Sequence, residues 1–464
     1  MSFRLGILLV LAAASTLRAA DVTFDREISP IFFTHCTGCH HANDVAPMSL
    51  LTYKDARPWA ASIKEAVLTR TMPPWKADPH FGKFSNDPTL TVAEIATIEK
   101  WVEQGAKEGN PKDLPTTPVY STSWKIGKPD AIFAIPEHQL TKDGPDEYEY
   151  FIVPTNFKED VWVQSAELIP GNRKIVHHAH VWFEMPPAPD SKPSDAKPGE
   201  TKKSDPPTEY TKWLMVRDGK LTYIRLEAPV LDNGCLAEDN GNLPGRKLND
   251  GSGPIASYLP GKGPDVYPLG TAKKIPAGAL LKFQVHYSKV THKPETDATS
   301  VGLIFAKEPP AQPAKRVDLS TYLFKIPAGD PHHEVSDCHT FDKDVYITTL
   351  TPHMHLRGGD MRFDVEYPDK RKETLLFVPH YNFNWQITYK LQEPKFIPKG
   401  TKLAVIAHFD NSANNPFNPD PTLDVRWGEA SRKEMMDGWV EYLDAPLKTA
   451  PALSTSANLP TSVK

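Results

Sequence analysis

Two groups of residues in this sequence have the types and spacing to do chemistry. Cys36 and Cys39, followed at once by His40, form Cys-x-x-Cys-His. In that spacing two thiols bond the vinyl groups of a porphyrin and the adjacent imidazole takes the iron, so the segment reads as a c-type haem attachment site. A thioredoxin-like redox pair is the competing reading, but it belongs beside a βαβ pattern, and none is visible. The second group is drawn from the 17 histidines. His177 and His178 lie in residues 174–183, His286 in 283–287, and His353 and His355 in 352–357, all strand-like stretches. Residues i and i+2 of a strand point the same way, so His353 and His355 can share one metal. Imidazole suits copper, zinc, iron and nickel alike, so the ligands alone do not choose the ion. The bland role for each is pairing with a carboxylate or with buried backbone.

Elements must hold these groups in place. Around Cys36 the sequence predicts a small helical cytochrome over residues 21–112, with amphipathic helices at 60–68 and 93–101. The loop between them carries Met72 ahead of Pro73 and Pro74. A methionine in such a loop is a candidate for the far side of a haem iron, where a thioether favours Fe(II). Met48 is the alternative. His35, His41 and His80 read as surface or haem-edge residues.

Beyond residue 112 short runs rich in Val, Ile, Tyr, Phe and Trp alternate with Pro, Gly, Asn and Asp. They fall at 148–153, 161–167, 175–183, 280–287, 345–349, 361–367, 403–409 and 439–443. Regular short strands with turn signals predict sandwiches or barrels. The 46 prolines and 26 glycines argue the same way, against a mostly helical chain. This stretch is long for one sandwich and suits two, at 113–315 and 316–448, with a Pro/Ser/Lys/Asp-rich insertion near 186–207 expected to be disordered. A tail at 449–464 is expected to be disordered as well. The fold class expected is thus a small all-α cytochrome c domain followed by two all-β sandwiches.

Residues 1–20 read as a secretory signal peptide: Arg4, an apolar run at 5–14, then small residues to Ala19 and Ala20 before Asp21. No later apolar run is long enough to span a membrane. The expectation is an exported, periplasmic or secreted protein without a stable membrane anchor. A net charge of −5 on 464 residues excludes an overall nucleic-acid-binding surface. Cys235 and Cys338 are an even pair in an oxidising compartment and are expected to form a bridge, two buried thiols being the alternative.

The order His-His, then Gln-Val-His-Tyr, then His-x-His, then Glu-Met resembles the copper type II, ascorbate-dependent monooxygenases, the relatives of peptidylglycine α-hydroxylating monooxygenase and dopamine β-monooxygenase. The resemblance covers most of residues 120–445, chiefly in the ligand blocks. It implies two jelly-roll domains with one copper each across an open cleft. By the same resemblance, His177, His178 and His286 hold an electron-transfer copper. His353, His355 and Met435, with Met436 as the alternative methionine, hold the copper that activates O2 against a substrate C–H bond. His180 is an extra histidine on the face of His178, either supporting a ligand, replacing one, or satisfied by neighbours. Peptide-amidating members carry an arginine where Thr351 stands, and a tyrosine and an asparagine where Trp439 and Asp437 stand. A glycine-extended peptide is therefore not the expected substrate. His332, His333, His339, His380 and His408 match no ligand block and read as loop or core residues.

Together these readings predict a monooxygenase with one covalent haem c and two copper ions. It would take electrons from a periplasmic donor or small reductant and act on a small-molecule or peptide-like substrate. A non-oxygenating electron-transfer or copper-binding protein is the alternative. A zinc hydrolase ranks last, because Leu356 and Arg357 rather than a glutamate base follow the His-x-His.

Overall fold

The computed structural model describes residues 21–186 and 253–446, apart from 43, 45, 121–123, 145, 260–261, 269, 290, 322–323 and 429, together with the strands Trp213–Arg217 and Lys220–Ile224. The expected signal peptide, nearly all of the 186–207 insertion, Cys235 and the 449–464 tail lie outside the described residues. The expected Cys235–Cys338 bridge is therefore not described. Cys338 is buried on the strand His333–Thr340.

The expected fold class is corrected. Among the described residues the chain is mostly β, with 39% strand and 12% helix, and no sizeable all-α cytochrome domain is found. Its described α-helices are Ser29–His35, Tyr53–Ala56, Ala60–Leu68 and Val92–Glu103, of 7, 4, 9 and 12 residues. The described strands fall into seven small sheets of two to six strands, not into two uniform jelly rolls. Pro30 and Pro58 stand in the first turns of Ser29–His35 and of the 3-10 turn Arg57–Trp59, where a helix needs no backbone N–H from them.

Two compact units are present. One comprises the described residues up to Ala42 with 46–73 and 89–120; the other comprises 43–45, 74–88 and the chain from 121 onward. In the first, Phe24, Phe32, Ile63, Ile98 and Trp101 form the core. Thr91 starts the longest helix with a reciprocal cap, its hydroxyl receiving the Glu94 N–H while the Glu94 carboxylate receives the Thr91 N–H.

The second unit has two hydrophobic cores. Val163, Val181, Phe283, Val285 and Leu303 belong to one. A four-stranded sheet lines it, in the order Glu147–Pro154, Leu280–Tyr287, Val176–Glu184, Ala256–Tyr258. Ile347, Leu350, Phe363, Val405 and Val440 belong to the other. It lies between the sheet Lys315–Ser320, Asp437–Asp444, Val345–His353, Tyr389–Ile397 and the sheet His333–Thr340, Lys402–Phe409, Gly358–Glu366, Lys372–Val378. Lys402–Phe409 alternates half-buried and buried residues along its whole length, the period-two signature of a strand with one face on a core.

Candidate metal centre

His177, His178 and His286 come together through a fault in the strand ladder. The Val176–Glu184 strand pairs antiparallel with Leu280–Tyr287, His286 opposite His178, but Tyr287 lies opposite Val176. His177 is thus the extra residue of a β-bulge. Strict alternation would send adjacent His177 and His178 to opposite faces; the bulge lets both reach one point. Their Nδ1 atoms are 3.1 Å apart, and the Nδ1 of His286 is 3.4 Å from that of His178. A metal about 2.0 Å from each nitrogen at near-tetrahedral angles sets such nitrogens about 3.3 Å apart. The three residues therefore fit a single ion.

Supporting contacts fix the third ring. Nε2 of His286 lies 3.0 Å from Asp146 Oδ2, so the carboxylate takes the outer N–H and leaves Nδ1 its lone pair. Tyr148, opposite His286 on the neighbouring strand, stacks on its ring at 4.1 Å. Burial, reinforced by charge on His286, depresses the pKa of His177 to about 4 and that of His178 well below its usual value. Both rings are neutral at pH 7, the form that ligates.

His353 and His355 also meet, but not as two positions on one strand. The strand ends at His353, and His355 lies in the turn beyond. A buried carboxylate holds that turn: Glu434 accepts the N–H of His355 at 2.8 Å and the N–H of Arg357 at 2.7 Å. The Nδ1 of His355 lies 3.1 Å from the Lys433 carbonyl, and the Nδ1 of His353 lies 2.9 Å from Gln386 Oε1. Both Nδ1 atoms donate, so Nε2 keeps the lone pair in each ring. The rings are 5.2 Å apart and nearly perpendicular. Burial lowers the pKa of His353 to about 4 and that of His355 well below the ordinary value; it raises Glu434 to about 8. Of the two methionines, Met436 is fully buried in the hydrophobic core, while Met435 is half-buried next to Glu434. Met435 is thus the thioether not consumed by packing.

The two histidine sets touch through aromatic rings. Phe383 stacks on His177 at 5.1 Å and meets His355 edge-on at 5.6 Å. Trp439 stacks on His353 at 5.1 Å and meets His180 at 6.0 Å. His180 stands apart from the three-nitrogen group, its Nδ1 2.8 Å from the Ser257 hydroxyl. Sequence reasoning missed Asp146, Gln386, Phe383 and Ser257. Glu434 appeared there only as a marker of register.

In the smaller unit the Ser29–His35 helix gives way to a turn through Cys36 and Cys39, closed by the His40 N–H on the Cys36 carbonyl at 2.9 Å. Neither cysteine is in a disulfide, both are half-buried, and burial pushes the Cys36 thiol up to about 12. Nδ1 of His40 lies 3.2 Å from the Met48 carbonyl, which leaves Nε2 for an iron. The Met48 side chain packs on the helical core. Met72 is half-buried in the loop after Ala60–Leu68. His35 pairs with Glu94 at 3.2 Å and His41 stacks on Tyr120 at 4.1 Å, while in the other unit exposed His80 pairs with Asp78.

No family model matches the sequence, and no curated protein matches it. Among solved structures, the chain aligns with the major capsid protein P2 from Bacteriophage PM2 at 9% identity and a TM-score of 0.17, over 66% of this chain and 100% of that one, a likeness too slight to carry an argument.

Proposed function

We propose that this chain is an exported monooxygenase dependent on haem and copper, with His177, His178 and His286 holding an electron-transfer copper and His353, His355 and Met435 a second, oxygen-facing copper. The observation that carries the reading is the convergence of three imidazole nitrogens from a bulged strand and its neighbour, beside a second imidazole pair with both Nε2 atoms available. When bound, the copper ions and the haem supply one-electron steps and the activation of O2.

The chain's own residues do the rest. Asp146, Gln386 and the Lys433 carbonyl fix which nitrogen of His286, His353 and His355 faces the ion. The low pKa values of His177 and His353 keep those ligands from being protonated near neutrality. A thioether beside two imidazoles favours Cu(I), the state that must meet O2. Cys36, Cys39 and His40 would hold the haem, with Met72 its far-side ligand. The substrate is small or peptide-like, with Thr351, Trp439 and Asp437 in place of the groups that grip a peptide carboxylate.

A carrier that only exchanges electrons is the rival reading, and turnover separates the two. We expect reduced haem to be reoxidised by O2 only when copper is bound, with O2 consumed in proportion to an added substrate. Equal reoxidation by copper-free protein contradicts the proposal.

A further inference from the structure

A third histidine group lies on the solvent face of the sheet that contains Gly358–Glu366 and Lys402–Phe409. His408 has Glu334 opposite it on one neighbouring strand and Asp360 on the other. Its Nδ1 is 2.8 Å from Asp360 Oδ1 and its Nε2 is 3.5 Å from Glu334 Oε2. His332, just before the His333–Thr340 strand, stacks on His408 at 4.0 Å, and its Nε2 is 3.8 Å from Asp360 Oδ2. One donor atom each from His332, Asp360 and His408 falls within 4.8 Å of the others. These residues are far apart in sequence, and only the strand pairing unites them.

The charge balance of the group is unusual for a sheet surface. The next outward carboxylate on the same strand, Asp364, has the Arg362 guanidinium 2.7 Å away. Among the described residues, Asp360 and Glu334 have only histidines as ionic partners. Two carboxylates facing two imidazoles with no lysine or arginine between them leave a negative site rich in nitrogen and oxygen donors.

We propose that His332, Asp360 and His408 bind one divalent transition-metal cation of the zinc, copper or nickel class, with Glu334 facing the outer nitrogen of His408. Two imidazoles with carboxylates match those borderline ions, whereas calcium and magnesium prefer oxygen alone. His332 is the exposed ring that turns to close the shell; Asp360 and His408 are preset by strand register. The cation ties the turn before His333 to the sheet. None of its donors belongs to the sets containing His177 or His353, so the site is independent of the proposed copper centres.

Equilibrium dialysis of the full chain against zinc chloride tests this. His408→Ala is expected to bind one zinc ion fewer per chain than the parent. His332→Ala is expected to weaken that ion at least ~10-fold. Only the difference between proteins is read, so the result does not depend on whether the other histidine sets bind zinc. His332 lies outside the strand, which keeps the test open should His408→Ala fail to fold. Equal zinc content and affinity in the parent and both variants overturns the proposal and leaves a surface ion-pair ladder.

Discussion

Replacing His178 with alanine is expected to weaken copper at the three-histidine site by at least ~100-fold, because even an outer-shell contact is worth 10- to 100-fold in metal affinity. His178 is the hub of that site: its Nδ1 lies within hydrogen-bonding range of the Nδ1 atoms of both His177 and His286. Without it, two rings remain, one of them on the bulge. Competition with a copper chelator reads the loss directly. His180→Ala is the matched control, since His180 occupies the same strand but spends its Nδ1 on Ser257. His180→Ala should hold copper within a few-fold of the parent. Unchanged affinity in His178→Ala would remove the basis for placing an ion there.

The largest stability loss is expected from Glu434→Ala, about 2–6 kcal/mol in urea unfolding, the cost of leaving two buried backbone donors unpaired. Glu434 is fully buried and receives the backbone N–H groups of His355 and Arg357. The Arg357 guanidinium, also buried, approaches its carboxylate at 4.0 Å and otherwise bonds Asn411 and the Arg432 carbonyl. Truncation leaves two buried backbone donors unpaired. Glu434→Gln keeps one acceptor oxygen and should lose less. The turn bearing His355 is held chiefly by these contacts, so Glu434→Ala should also lose metal at His353 and His355. A cost below about 1 kcal/mol would mean the turn is fixed by something else.

The strands were legible because alternation is a strong signal when one face meets a core. The run expected at 280–287 is the strand Leu280–Tyr287, and that expected at 403–409 is Lys402–Phe409. The helix expected at 60–68 is Ala60–Leu68, and 93–101 falls inside Val92–Glu103. What failed was the step from two amphipathic helices to an all-α domain. Their lengths leave most of that stretch as turns, several of them at prolines.

The histidines were legible by type and the geometry was not. His177 and His178 share a centre only because of a bulge, and no local signal in Val-His-His-Ala marks one. His353 and His355 were paired for the wrong local reason: the strand stops between them, and a glutamate distant in sequence does the positioning. Asp146, Gln386 and Phe383 sit in loops, where pattern says little about partners. His332 and His408 read as unrelated because strand register, which the sequence does not print, is what brings them together.

The most direct test counts copper and iron per polypeptide in protein exported with haem attachment, loaded with copper and desalted. His408→Ala protein is the right material, because it lacks the exposed third site. The account predicts two copper ions for each haem iron. A full complement of haem with one copper or none would contradict it.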